Sequence, residues 1–241
     1  MDLSLIITCY NEAPHLKKSF SILKNTLNQT RWKYEFIFVD DFSEDRTRNV
    51  IEEIINENKA LRIKTIFHDK NYGRGQSVVD GLRAAAAPVV GFLDIDLEIA
   101  AHYILPAVNL IKVGNADFVM AHRIYKLSVK AMARTIVSRG YNFLTRHLLG
   151  LPFHDTEAGF KFFLREKVLP ILDLVENQRW FWDTEIVAYA HRNGLKISSL
   201  PVLFIRNPDK KTTVKLVSDS FDYFVNLLRF RRRFKKHINY D

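Results

Sequence analysis

Residues 91–98 read GFLDIDLE: an apolar run ends, and three carboxylates follow at alternate positions, Asp94, Asp96 and Glu98. Alternation of period two puts such side chains on one side of an extended chain. There they repel one another unless a cation sits among them. Asp94 and Asp96 form an Asp-x-Asp pair whose hard oxygens can hold Mg²⁺ or Mn²⁺, and Glu98 could add a third ligand, directly or through water. Such ions take few protein ligands and complete their shell with water and substrate phosphates. An ion held there would neutralise charge developing on a departing diphosphate. The pair by itself fits equally well a solvated loop or a helix N-terminus, where acids meet a favourable dipole.

The elements that must position these acids are legible in the first half of the chain. Apolar, β-rich runs cover Leu3 to Thr8, Tyr34 to Asp40, Ile63 to His68, Val89 to Asp94 and Phe118 to His122. Between them the pattern predicts helices over Pro14 to Asn28, Arg46 to Asn58, Gly75 to Ala86 and about His102 to Val113. Near-continuous apolar strands alternating with helices imply a mainly parallel sheet covered on both faces. Such sheets bind ligands beyond the carboxyl ends of their strands. Those ends carry CYNE, DDFSED, DKNYGRG and DIDLE, so polar residues collect on one rim.

The second half is less regular. Ser128 to Leu149 reads as a helix interrupted near Gly140, DTEAGFKFF as a loop entering a strand, and KISSLPVLFI as another strand. WFWDTEIVAYAHRNG reads as a helix closed by Gly194, a residue suited to a left-handed C-cap. Val217, Phe221, Phe224 and Leu228 fall on one helical stripe, in a segment that ends RFRRRFKKH.

The chain has 241 residues, 47% of them hydrophobic, and a formal net charge of +9, which points to an anionic partner. Its lone cysteine, Cys9, excludes an intramolecular disulfide framework and fits a small core residue in a reducing compartment. No apolar run approaches the roughly 20 residues that span a bilayer, and the N-terminus lacks the marks of a signal peptide. The expected location is therefore cytoplasmic, at most peripheral to a membrane. Phe118 to His154 contains no Asp or Glu. Lys126, Lys130 and Arg134 share a helical face there, with Met132, Ile136, Phe143 and Leu144 supplying apolar surface. A basic amphipathic segment of this kind suits an anionic membrane surface, and the terminal basic run adds a second patch. Nothing resembles an RNA-recognition motif, which argues against nucleic acid as the partner.

SLIITCYNE, VDDFSEDRT, NYGRGQSVVDGL, FLDIDLE and DTEAGFK occur in this order. Together they resemble the inverting family 2 glycosyltransferases of GT-A fold, over most of the first 165 residues. Within that family the chain is most similar to the dolichol- or polyprenol-phosphate hexosyltransferases, among them the mannose synthases. The resemblance implies an α/β fold: a Rossmann-like, mixed but mainly parallel sheet flanked by helices, with a C-terminal amphipathic basic helix. A catalytic domain would span 1–210 and the helix or tail 211–241. It implies that Tyr10, Asn11 and Glu12 border the nucleotide, that Asp40 or Asp41 contacts the base or ribose, and that Asp94 and Asp96 hold the metal. Glu98 stands where close relatives often have glutamine, Thr8-Cys9 where Pro-Thr is frequent, and Glu157-Ala158 where Gln-Cys is frequent. The segment from Gly73 to Gly81 lacks dinucleotide spacing; Asn71 and Arg74 are candidates to approach the sugar nucleotide.

The expected reaction moves mannose or glucose from a nucleotide diphosphate sugar, of GDP-mannose or UDP-glucose type, to a polyprenyl phosphate at the cytoplasmic membrane face. A separate membrane-spanning subunit could anchor the chain. A phosphate acceptor is already anionic and needs no general base; it needs cations to hold it and orientation. Arg123, Arg139 and Arg206 are the candidates, Arg206 because the resemblance implies an acceptor-phosphate ligand after the LPVLFI strand. Asp96 and Glu185 complete the expected catalytic set. A glycan hydroxyl acceptor, as in envelope polysaccharide synthesis, would need a carboxylate base. Asp155, Glu157, Asp183 and Glu185 are available, whereas His154 reads as a loop histidine.

Overall fold

Apolar strands set the architecture. β1 (Leu3–Cys9), β2 (Tyr34–Asp40) and β4 (Val89–Leu93) are buried almost throughout. β3 (Arg62–Phe67) is partly exposed, as an edge strand should be. The computed structural model describes residues 1–125, 132–206 and 216–236, with backbone alone at 132–139, 216–221 and 236. β5 (Phe118–Tyr125), β6 (Phe160–Leu164) and β7 (Ile197–Phe204) complete one seven-stranded sheet of order β3-β2-β1-β4-β6-β5-β7. β1 pairs in parallel with β2 and β4, and β5 with β7; β6 runs antiparallel between β4 and β5. The expected mixed, mainly parallel sheet with flanking helices is what forms.

One face is covered by α1 (Ala13–Asn28), α2 (Thr47–Glu57) and α4 (Ile104–Lys112), through Leu16, Phe20, Ile51, Ile54 and Ile104. The other is covered by α3 (Arg74–Ala84), α6 (Arg165–Leu172), α7 (Trp182–Arg192) and α8 (Leu216–Lys236), through Val78, Val168, Trp182, Leu227 and Phe230. α5 (Met132–Leu149) adds Tyr141, Leu148 and Leu149 to that second layer. β4 lies close to β6: a Cβ on Gly91 would fall 2.2 Å from the Phe162 ring.

Four expectations need correcting. β4 stops at Leu93, one residue short of Asp94. α5 runs through Gly140 without interruption, since one helical glycine costs only about 1 kcal/mol. The sequence reading missed α6, where Pro170 obscured the helical pattern. Of the stripe expected on α8, the two residues whose side chains are described, Phe224 and Leu228, are not among the buried ones. Phe224 is 41% exposed, while Leu227, Phe230 and Phe234 are buried and Tyr223 packs beside them. The Phe230 ring meets Phe181 and Tyr189 edge-on at 5.8 and 5.5 Å, an arrangement aromatic pairs favour.

The boundary expected at 210/211 falls outside the described residues, as do Lys126 and Lys130 and the side chains of Arg134, Arg139, Val217 and Phe221. Among the described residues no helix is long and apolar enough to cross a membrane.

Candidate active site

Strand order reverses between β1 and β4, so the loops leaving these two strands diverge and open a crevice. A cleft of about 790 Å³ lies there, lined by Tyr10, Asn11, Glu12, Asp41, Arg74, Asp94 and Asp96. Trp180 and Phe181 before α7, and Asp222, Tyr223 and Asn226 on α8, close its other side.

The first wall is stitched by backbone amides. Asn11, with φ at 56°, accepts from the amides of Glu44 and Asp45 at 2.9 and 3.3 Å and donates its own N–H to Ser43 Oγ. The Glu12 amide donates to Thr47 Oγ1 at 2.8 Å. Asp41 accepts from the amides of Tyr72 and Gly73 at 2.8 and 2.9 Å and contacts His68 Nδ1 at 2.8 Å. His68 reaches Asp80 with its other nitrogen. Asn11 and Asp41 are therefore scaffold as well as lining. Of the pair Asp40 and Asp41, only Asp40 keeps a buried carboxylate oxygen, Oδ1, with no hydrogen-bond partner among the described residues.

The acidic loop does not continue the strand. The Leu97 amide donates to the Asp94 carbonyl at 3.1 Å and Leu97 has φ at 54°, so Asp94–Leu97 is a turn. Glu98 donates its amide to Asp96 Oδ1 at 3.2 Å. The alternation expected of an extended chain is thus replaced. Asp94 and Asp96 line the cleft, Glu98 does not, and no three metal-ligating side chains converge among the described residues. Two carboxylates on one rim still suit Mg²⁺ or Mn²⁺, which draw most of their shell from water and phosphate. A cation already sits on Asp94: Arg74 donates to its Oδ1 through Nε at 3.0 Å and Nη2 at 2.8 Å.

Arg74 begins a chain of ions. Its Nη1 donates to Asp183 Oδ2 at 2.6 Å, and Lys161 Nζ donates to Asp183 Oδ1 at 2.5 Å. Lys161 is fully buried on β6. Burial pulls its pKa down, against the pull of Asp183. Arg123 forks onto Asp155 at 2.7 and 2.8 Å. Burial opposes the charge of Asp155, but the guanidinium holds its carboxyl below the usual range. Glu185 is nearly buried and caps the amides of Glu176 and Asn177, with Arg233 of α8 at 2.9 Å. It faces that loop, not the cleft. Burial raises the pKa of Glu157 above its ordinary 4.5, to about 7, with Asp155 and Asp183 adding to the rise.

Arg206 is exposed just past β7. The Ile205 amide donates to the Glu98 carbonyl at 2.9 Å and Phe204 bridges Ile99, so Arg206 adjoins the acidic loop. Leu203, Ile205 and Ile124 near it are 54%, 64% and 49% exposed, and Ile124 is register partner of Leu203. Of the three expected arginines, then, Arg206 is open, Arg123 is committed to Asp155, and the side chain of Arg139 lies outside the described residues. Sequence reasoning missed Lys161, though a lysine inside FKFF was a signal. It also missed Trp180 and the α8 lining, for which spacing gave none.

Residues 4–170 match the family model described as Glycosyl transferase family 2. Glycosyltransferase AglD of Haloferax volcanii is 28% identical over 233 residues, covering 95% of this chain and 37% of that protein. Dolichyl-phosphate beta-glucosyltransferase ALG5A of Trichomonas vaginalis is 31% identical over 214 residues, covering 83% and 64%. The chain thus spans less than two thirds of either relative. Among solved structures, glucosyl-3-phosphoglycerate synthase from Mycobacterium tuberculosis with Mn²⁺, UDP and glucosyl-3-phosphoglycerate superposes with a TM-score of 0.68 at 17% identity, over 95% of this chain and 79% of that one. S. aureus TarS 1–349 in complex with UDP-GlcNAc gives 0.64 at 17% identity, over 97% and 66%. These likenesses are of fold.

Proposed function

The chain belongs to glycosyl transferase family 2, and from that membership we propose that it transfers a hexose from a nucleotide diphosphate sugar to a polyprenyl phosphate. The observation that carries this reading is the placement of Arg206 and its apolar neighbours beside the loop bearing Asp94 and Asp96. A cation flanked by exposed Leu203 and Ile205 suits a phosphate on a hydrocarbon chain. The carboxylate pair suits the donor's diphosphate through a divalent ion. The names of the dolichyl-phosphate beta-glucosyltransferase relatives favour glucose, and hence a UDP-glucose type of donor.

In this reading Tyr10 and Glu12 border the nucleotide, and Asp41, the cleft-lining member of the Asp40–Asp41 pair, contacts the base or ribose. Asp94 and Asp96 would hold Mg²⁺ or Mn²⁺, which offsets charge on the leaving diphosphate when bound. Arg206 holds the acceptor phosphate. Its oxygen attacks the anomeric carbon, the bond from that carbon to the diphosphate oxygen breaks, and the configuration inverts. No proton needs removing from a phosphate anion. Arg123 and Glu185 position strand and loop instead of meeting substrate. The lipid acceptor would be met at a membrane surface, peripherally or beside a separate membrane subunit.

Glu157 favours a second reading. A carboxyl with a pKa near 7 suits a general base, which a glycan hydroxyl acceptor would require. One assay separates the two. Labelled UDP-glucose or GDP-mannose is offered with polyprenyl phosphate and a glycan acceptor together, with and without chelator. Label in the lipid fraction, lost with chelator, is the expected result. Label in glycan alone would give the second reading, and donor binding without transfer would end both.

A further inference from the structure

Both carboxylate oxygens of Asp94 have protein neighbours in this structure. Oδ1 takes two donors from Arg74. Oδ2 lies against Gly159, where a Cβ would stand 1.8 Å away. An ion approaching from the cleft therefore meets a partly exposed carboxylate that is already paired with a guanidinium.

Arg74 is the member of the ion chain able to leave. Asp183, nearly buried, keeps Lys161 at 2.5 Å if Arg74 withdraws, so no buried carboxylate is stranded. Asp94 is 41% exposed at its side chain and can exchange one cation for another, whereas Arg74 is 10% exposed. Its guanidinium lies over the rings of Phe92 and Trp180, 5.1 and 5.2 Å from their centroids. Trp180 also lines the cleft and is 46% exposed, so the aromatic support extends to the cavity. A guanidinium released from Asp94 remains on an aromatic face at the cleft, with N–H groups free to fork onto a diphosphate.

Resting on the proposed nucleotide-sugar chemistry, we infer that Arg74 is a resident cation on Asp94: a divalent ion displaces it, and the displaced guanidinium pairs with the diphosphate that enters with the ion. Each carboxylate keeps a cation, because the ion replaces the guanidinium on Asp94, Lys161 stays on Asp183, and the guanidinium meets a new anion. Metal alone gains little, since it must break the Arg74 fork without offering Arg74 a partner. Metal and nucleotide together pay no such penalty, so their binding is mutually reinforcing, to the same factor in both directions.

The test reads binding, not turnover. Mn²⁺ alone is titrated into the intact chain and into Arg74→Gln, followed by calorimetry or by the electron paramagnetic signal of free Mn²⁺. The titration is repeated with saturating UDP, and again with GDP. The expected result is weak Mn²⁺ binding to the parent, tightened about tenfold or more by nucleotide, within the usual range for coupled sites. Arg74→Gln should bind Mn²⁺ alone about tenfold tighter and lose most of the nucleotide coupling. Arg74→Lys, which keeps the charge without the fork, should fall between, and its thermal unfolding together with that of Arg74→Gln checks that both fold. If Arg74→Gln binds Mn²⁺ no tighter than the parent while nucleotide-dependent binding persists, this inference falls and the proposed function stands. If neither protein binds Mn²⁺ with any nucleotide, the inference and the metal-assisted reading fall together.

Discussion

The two walls of the cleft are held by different bonds. On the wall built from the loops after β1 and β2, side chains of Asn11 and Asp41 accept from backbone amides at 2.8–3.3 Å. On the side built from the loop after β4, the start of α3, β5, β6 and α7, ions hold one another: Asp94 to Arg74 to Asp183 to Lys161, and Arg123 to Asp155, while Glu185 pairs with Arg233 away from the cleft. An amide-stitched wall cannot rearrange without leaving an N–H unsatisfied, which costs about 1–3 kcal/mol each time. An ionic wall can trade partners whenever another ion arrives. The first wall therefore supplies shape, and the second supplies the response to charged ligands.

The largest expected effect tests that contrast directly. Asp183→Asn leaves Lys161 buried without its carboxylate and removes one partner of Arg74, so it should cost about 3–5 kcal/mol of folding stability. Asp41→Asn keeps one good acceptor and disturbs the amide that its new NH₂ faces; it should cost about 1–3 kcal/mol. Urea unfolding of the two variants at pH 7 gives both values. Equal losses would erase the distinction between the walls.

The amide-stitched wall was the legible one. Parallel strands buried on both faces write continuous apolar runs, so β1, β2 and β4 could be bounded to within a residue. The polar rim follows from their carboxyl ends. The ionic wall was harder, because its members pair across the sheet at separations no local pattern encodes: Arg74 with Asp183, Arg123 with Asp155. A sequence shows that Arg123 is a cation; it does not show that a carboxylate 32 positions on has already taken it. Period two also misled at Asp94, since a turn with Leu97 in the left-handed region breaks the alternation. On α8 Phe224 and Leu228 of the expected stripe stand aside from Leu227, Phe230 and Phe234, which the fold buries. Two adjacent apolar faces on one helix cannot be ranked without the surface they meet.

Arg206 belongs to neither wall, and the next effect in size depends on that independence. It is open to solvent and makes no ion pair among the described residues. Arg206→Ala should leave stability and donor affinity near the parent's while slowing transfer to polyprenyl phosphate about 10- to 100-fold. That is the range expected on losing one charge-assisted contact to phosphate. Parallel measurement of UDP affinity and of labelled lipid formed separates the two. Weakened donor binding would put Arg206 on the donor side, and unchanged transfer would remove it from the site.

The smallest effect sharpens the contrast within the ionic wall itself. Glu157 lies among Arg123, Lys161, Asp155 and Asp183, and burial raises its pKa from 4.5 to about 7. Below about pH 4.5 folded and unfolded chains both keep that proton, and Glu157 adds no pH dependence. Between 4.5 and 7 the unfolded chain releases it first, so the folded state loses stability as pH rises, and above 7 the loss is complete. Partial exposure to solvent reduces the effect to roughly 1–2 kcal/mol. Glu157→Gln is neutral at every pH and escapes this loss. Its stability advantage should grow from almost nothing at pH 4 to about 1–2 kcal/mol at pH 8, read by urea unfolding at both values. Turnover decides what the carboxyl does. A phosphate acceptor needs no base, so Glu157→Gln should transfer sugar to polyprenyl phosphate at close to the parental rate. A fall of about 100-fold or more, the usual consequence of removing a general base, would move the acceptor from phosphate to hydroxyl and make Glu157 the member of the ionic wall that touches the reaction.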